Sequence, residues 1–327
     1  MSFGVIGAGS PLVDYTAAVS DVFLQEFIPG GKGGTVHIPE AERNRIFSAL
    51  KGRFLRTPGG AAANTISALG KLGVRSAFFG KLGDDEDGRF FRDELVGCGV
   101  SSSELLAVPG GRTGYCLSLV TPDAERTMRS NLGVSTDISP EEIAGCDFST
   151  FNWLLSEGYM LQIPGFSRIF SRARAAGCRT ALDLSSIEIA RAGGDELKRL
   201  LRENIDLVLC NNDEAAALTG ETSPQKNVLL LAELSPVAVL KLGREGSIIA
   251  TSESEITIVP AVTGRASVDT TAAGDHYAAG FFYGLSENAP LEKCGYYGAV
   301  LGAAIASVAG SRMPEELWKE VLKDLNI

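Results

Sequence analysis

Asp275 closes the run Asp269-Thr270-Thr271-Ala272-Ala273-Gly274-Asp275, and a small-residue stretch of helical character, His276 to Leu285, follows at once. Small residues at a helix start leave backbone N–H groups without intrahelical partners, beside the positive end of the helix dipole. Such a terminus attracts an anion, a phosphate above all. Two roles are open for an acid at that place. Asp275 can cap the helix, as Asp often does. It can also take the proton of a hydroxyl that attacks the phosphate.

A second stretch of the same kind lies at 58–73: Pro-Gly-Gly-Ala-Ala-Ala-Asn-Thr-Ile-Ser-Ala-Leu-Gly-Lys-Leu-Gly. Here a Gly-Gly pair opens a helix. Helical spacing puts Asn64, Ser67 and Lys71 on one face and Ile66, Leu69 and Leu72 on another. Gly59 and Gly60 permit close approach of a ligand to the backbone. Asn64 offers both a donor and an acceptor. A turn, a cap and an amphipathic helix explain the same letters without any ligand.

Taken together, the two stretches resemble the two signatures of the ribokinase, or PfkB, carbohydrate-kinase family. Further marks stand in the family's order: Gly83-Asp84-Asp85 with Gly88, Gly99-Val100, Glu125-Arg126-Thr127, Asn211 with Glu214, and Lys241-Leu242-Gly243-Arg244-Glu245-Gly246. The resemblance covers nearly the whole chain. The Pro-Gly-Gly-Ala-Ala-Ala-Asn-Thr form and Arg126-Thr127-Met128 look most like the adenosine-kinase-like branch.

The resemblance implies an ATP-dependent kinase that phosphorylates a hydroxymethyl group of a sugar or nucleoside. Asp275 would then be the base, with the N–H groups of Ala272, Ala273 and Gly274 stabilising the transferring phosphoryl group. Asp14, Gly59, Gly60 and Asn64 would bind the acceptor. Lys241, Gly243, Gly246 and Asn211 would border the nucleotide. Asn211 and Glu214 would hold Mg²⁺ through water, since magnesium keeps much of its hydration; an Asn-x-x-Glu run is also a capping box, and the two roles can coexist. Arg126 would line the lid side of the acceptor or form a surface ion pair, the second being favoured. Tyr15, Phe23 and Phe27 would cover a purine base or form lid core.

The chain departs from the family in three places. Ala272 stands where glycine is usual; it keeps the N–H donor but restricts φ. That substitution keeps a non-catalytic sugar- or nucleotide-binding relative in view. His276, directly after the expected base, is unusual; it would hydrogen-bond a phosphate or Asp275 itself, or face solvent, the last being favoured. Ala61, Ala62 and Ala63 occupy the place where ribose-specific members often carry a lysine.

Other classes fare worse. A net charge of −10 disfavours nonspecific binding to nucleic acid or anionic membranes. With only two histidines, His37 and His276, a histidine zinc site is improbable, and no Gly-x-Ser-x-Gly elbow is present. Gly7-Ala8-Gly9 suggests an NAD(P)-binding oxidoreductase, but Leu12 stands at the third glycine position and Pro11 interrupts the turn. Lys32 is followed by Gly33, which spoils a Walker A reading of Gly30–Thr35; this piece reads as a mobile loop or hairpin tip. Six scattered cysteines without a Cys-x-x-Cys pair suggest buried thiols in a reducing cytosol. The first nine residues lack a secretory pattern, and the apolar stretch 298–310 is too short to span a bilayer. A cytoplasmic protein is therefore expected.

The elements that must hold these residues follow from periodicity. Short apolar strands are predicted at 3–9, 76–80, 152–156, 179–184, 206–210 and 237–241. Helices are predicted at 88–98, 164–176 and 188–203, with a hairpin at 246–250 and 255–259 and helices at 274–286, 291–308 and 314–325. This alternation implies an α/β fold: a three-layer, Rossmann-like, mainly parallel sheet with helices on both faces. Residues 1–14, 58–111 and 133–327 would form that domain. Residues 15–57 and 112–132 would form a small β lid, with strands at 112–120 and 125–132. Either a monomer or a homodimer paired through the lid fits this organisation.

Overall fold

The computed structural model describes residues 3–28, 30–123 and 125–325. Its larger sheet has nine strands. From one edge to the other they are Ile256–Val259, Ser247–Thr251, Val237–Lys241, Leu207–Asn211, Arg179–Asp183, Trp153–Glu157, Gly4–Ala8, Arg75–Gly83 and Leu105–Val108. The pairs from Val237–Lys241 across to Leu105–Val108 are parallel; the last two strands on the other side return as an antiparallel hairpin.

Most of these strands read as unbroken apolar runs because both faces are covered. Val5, Phe78, Leu155 and Leu209 enter one core, beneath the helices Ala61–Lys71, Ala273–Ser286 and Leu291–Ala306. Their sequence neighbours Ile6, Phe79, Leu154 and Val208 enter the other, beneath Arg168–Ala175, Ile187–Asn204 and Pro224–Ala232. Two alternating cores on one sheet make the three layers expected from the sequence.

The second sheet has five strands: Thr35–His37, Arg126–Gly133, Thr113–Val120, Leu12–Ala18 and Leu55–Gly59. It begins at Leu12, so Asp14 and Gly59 lie on strands of the small sheet. The 15–57 stretch, expected to be irregular, also carries two helices, Asp21–Phe27 and Glu40–Leu50. Their Leu24, Ile46 and Leu50 pack in one cluster with Val13, Tyr15, Ala17, Leu117 and Leu119. The alternate residues Asp14, Thr16, Cys116, Ser118 and Met128 are only half-buried, on the opposite face.

Two sequence expectations resolve here. Tyr15 belongs to the core: its ring sits edge-on to Phe47 and Phe54, and its hydroxyl donates to Asp87. The Gly30–Thr35 piece is fastened by Lys32, which pairs with Asp21 and Asp123 at 2.7 Å each, and by the Gly33 N–H, which donates to Thr127. Nor does Gly7-Ala8-Gly9 lead into a helix. The chain passes from Gly4–Ala8 straight into the strand Leu12–Ala18, so the turn a dinucleotide site requires is missing.

Candidate active site

Four adjacent parallel strands end in a polar residue. Glu157, Asp183, Asn211 and Lys241 are the last residues of their strands, and the register sets Glu157 beside Asp183 and Asn211 beside Lys241. The carboxyl edge of the sheet thus collects two acids, an amide and an amine. Ligands of open α/β sheets bind at that edge.

The helix Ala273–Ser286 starts above these strand ends. Thr65 donates to the Asp275 carbonyl at 3.0 Å, and Asn64 Nδ2 donates to Asp275 Oδ2 at 2.9 Å. Asn64, expected to bind an acceptor, therefore orients Asp275; its own Oδ1 is buried without a partner. Burial pushes the Asp275 carboxyl up to about 7; Asp183 adds to the rise, while the Asn64 hydrogen bond and Lys241 oppose it. A carboxyl poised there exchanges protons near neutral pH.

Ala272 caps this helix in left-handed backbone, with φ of +58°. Of the three N–H groups expected to face an anion, that of Ala273 already donates to the Thr270 carbonyl at 3.2 Å. Those of Ala272 and Gly274 have no partner among the described residues. A Cβ on Gly274 would fall 3.1 Å from Lys241 Nζ, so glycine lets the lysine reach the turn. Lys241 Nζ also pairs with Asp183 Oδ2 at 2.6 Å. Burial alone would lower this lysine's pKa, but Asp183 and Glu214 hold it above its ordinary value.

Beside Lys241 opens a cavity of about 570 Å³. Gly243, Gly246 and Gly274 line it, and Ala299, Gly302 and Ala303 give it a smooth apolar wall. A flat heterocycle on small residues, with its anionic tail toward Lys241 and the Ala272–Gly274 turn, matches this shape and charge.

Asp14 and Gly59 lie on paired strands of the small sheet. A Cβ on Gly59 would sit 2.3 Å from Asp14 Oδ2, so only glycine leaves room for that carboxylate. Gly60 has φ of +99°, and a Cβ there would meet the Ser10 carbonyl at 2.4 Å. Burial raises Asp14 to about 6, against the pull of the Arg312 charge.

Asn211 and Glu214 form the capping box that was one of their two readings. The Glu214 N–H donates to Asn211 Oδ1 at 2.9 Å, and the Asn211 N–H donates to Glu214 Oε2 at 2.9 Å. Burial and Asp183 push the Glu214 carboxyl upward. Asp183 thus acts electrostatically on both Glu214 and Asp275, with Lys241 as their near cation. Asn211 and Glu214 already bond each other, so the residues fit an ion held through water. Among the described residues no cluster of three metal-ligating side chains is preformed.

Two participants escaped the sequence reading. Glu157 is 2% exposed and accepts from the Ser10 and Ala62 N–H groups at 2.9 and 2.8 Å, tying the first strand to the helix that carries Asn64. Burial lifts its pKa to about 7. Asp183 holds Lys241. Glu157 directly follows the predicted strand 152–156 and Asp183 is the next-to-last residue of the predicted strand 179–184; an acid beside an apolar run was the available signal. His276, expected in solvent, is 2% exposed. Arg126 forms the expected ion pair, with Asp269, and also donates to the Thr271 hydroxyl, so it spans from the small sheet to the larger body. Asp269 also accepts from the Thr271 and Gly310 N–H groups at 2.8 and 2.9 Å; these bonds and Arg126 outweigh burial and hold it at about 2.

Comparison with known proteins agrees with this geometry. The model of the pfkB family of carbohydrate kinases matches residues 40–318. An uncharacterised sugar kinase of Archaeoglobus fulgidus is 27% identical over 75% of this chain and 96% of its own. The aminoimidazole riboside kinase of Salmonella typhimurium is 29% identical over 71% and 75%. Among solved structures, the adenosine kinase of Sinorhizobium meliloti superposes with a TM-score of 0.86 at 29% identity, covering 99% of this chain and 100% of that one. A probable sugar kinase of Rhizobium etli gives 0.86 at 26% identity, covering 100% and 99%.

Proposed function

The chain belongs to the pfkB family of carbohydrate kinases, and from that premise we propose that it transfers the γ-phosphoryl group of ATP to a hydroxymethyl group of a sugar or nucleoside. The observation that carries this reading is the place of Asp275. It lies in the first turn of the helix Ala273–Ser286, bonded to Asn64 and next to Gly274, which lines the cavity bounded by Lys241, Gly243 and Gly246.

Asp14 accepts hydrogen bonds from acceptor hydroxyls, and the glycine pair admits the sugar to the backbone. Asn64 fixes the Asp275 carboxylate toward the remaining hydroxyl. Asp275 takes that hydroxyl's proton as the new O–P bond forms and the bond to the β-phosphate oxygen breaks; the electron pair leaves with the diphosphate. Lys241 and the N–H groups of Ala272 and Gly274 stabilise the negative charge that develops. Bound Mg²⁺, held through water by Asn211 and Glu214, would supply further neutralisation of phosphate charge. Arg126 links the small sheet to the same turn.

An ADP-release assay over a panel of sugars and nucleosides, with Mg²⁺ and folded protein, tests the reading. We expect release above the no-acceptor background for at least one acceptor. Background rates throughout a broad panel would end it.

A further inference from the structure

Among the described residues Ala272 is one of only a few non-glycines with positive φ, and it sits at the turn on which the chemistry depends. A side chain in left-handed backbone crowds the adjoining carbonyl oxygen, so an alanine needs support there that a glycine does not. One helical turn on, His276 supplies two donors to the same oxygen. Its backbone N–H donates to the Ala272 carbonyl at 2.9 Å. Its ring Nδ1 lies 3.0 Å from that carbonyl. A carbonyl only accepts, so Nδ1 carries the proton and Nε2 is bare. Burial holds the ring's pKa down at about 4, which keeps it neutral at working pH. The ring lines a separate cavity of about 270 Å³ with Ser67, Arg312 and Trp318, away from the one bounded by Lys241 and Gly274, so it is not placed to touch reacting groups.

We propose that His276 is a positioning residue. Its two-donor grip fixes the peptide plane after Ala272, which carries the Ala273 N–H, and through that plane sets the flanking Ala272 and Gly274 N–H groups. The unusual alanine and the unusual histidine are then one device: the ring offsets a backbone strain that a glycine would not have. The inference rests on the reading of this turn as the phosphoryl site.

The test uses substitutions that separate the hydrogen bond from the ring. Asn places its amide nitrogen as many bonds from Cα as Nδ1, whereas Gln places it one bond farther. His276→Ala should lower kcat about tenfold, or about 1.4 kcal/mol, at unchanged acceptor KM. His276→Asn should recover most of the loss, and His276→Gln should resemble His276→Ala. In an Ala272→Gly background, the same His276→Ala change should cost at most about twofold relative to the Ala272→Gly single variant. Equal losses in the two backgrounds, or equal losses for Asn and Ala at 276, would overturn the proposal. Thermal melts show whether His276→Ala folds; if it does not, the Asn and Gln variants carry the comparison. Amide exchange over 269–276, measured without substrates, reads the grip independently of turnover. It should quicken in His276→Ala and return in His276→Asn; unchanged exchange refutes the grip. Faster exchange with undiminished turnover would instead uphold the grip and sink the phosphoryl-site reading.

Discussion

Replacing Asp275 by Asn is the most discriminating perturbation. The amide keeps the size of the side chain, and its oxygen can still accept from Asn64 Nδ2, which now donates at 2.9 Å. Asp275 lies in the first turn of the Ala273–Ser286 helix, whose cap is Ala272 without a side-chain bond, so the start of the helix should survive. What disappears is the proton acceptor. A positioned general base contributes ~10²–10⁴-fold in rate, so kcat should fall at least about a hundredfold, or about 3 kcal/mol of barrier. Nucleotide affinity should move the other way or not at all. Asp183 and Glu157 repel the charge on Asp275, and removing that charge relieves the repulsion beside an anionic ligand. The assay is steady-state ADP release at saturating acceptor, paired with calorimetric titration of ATP or ADP and a thermal melt. A variant that melts normally, binds nucleotide and turns over near the parent rate would refute Asp275 as base and leave it a first-turn acid held by Asn64.

Four further outcomes are expected. With Asp275 near 7 in the free protein, kcat/KM should fall about tenfold per pH unit below pH 7, and a profile flat from pH 5 to 8 would contradict this. The same shifts bear on stability: Asp14, Glu157 and Asp275 titrate at about 6, 7 and 7 when folded, above their unfolded values. Their contribution is complete below about pH 4 and is lost as pH rises through 6–7, so ligand-free protein should melt higher at pH 5 than at pH 8. Saturating acceptor should slow amide exchange in 15–57 and 112–132, because closure excludes water from the transfer; unchanged exchange would argue against closure. Chelation by EDTA should abolish turnover while the far-ultraviolet dichroism stays folded, since the ion is expected with the nucleotide; loss of that signal would point to a structural metal.

The fold was legible because the buried parallel strands are apolar runs bounded by polar residues, and because helices separate them at regular intervals. The turn that opens the Ala273–Ser286 helix was legible because its letters are local: seven consecutive residues carry it. The acidic strand ends were not. Glu157 and Asp183 are far apart in the chain, and only the register that pairs them makes them neighbours. Asn64 was found, but its bond to Asp275 spans 211 residues, and no local pattern announces that. His276 was misplaced because polarity alone suggested solvent. What buries it is Trp318 and the Arg312-Met313 pair, contributed by the far end of the chain. The helices within 15–57 were missed because Glu40–Leu50 begins at Pro39 without a side-chain cap and places few apolar residues on its inner face.

Asp269 joins three parts of the molecule through one carboxylate: Arg126 on a small-sheet strand, the Thr271 amide of the turn that opens the Ala273–Ser286 helix and the Gly310 amide beyond the penultimate helix. Such a junction behaves as an interlock. Swinging the small sheet outward withdraws Arg126 and, with it, one of the supports of Thr271, the residue just before Ala272. A molecule standing open would therefore hold the Ala272 and Gly274 amides less firmly than a closed one. If those amides serve the proposed phosphoryl transfer, the interlock would work against water, which would meet the donors only while they are unbraced. Selectivity for an acceptor hydroxyl over solvent would then be partly a matter of timing, written into a single acid rather than into the contacts that recognise the acceptor.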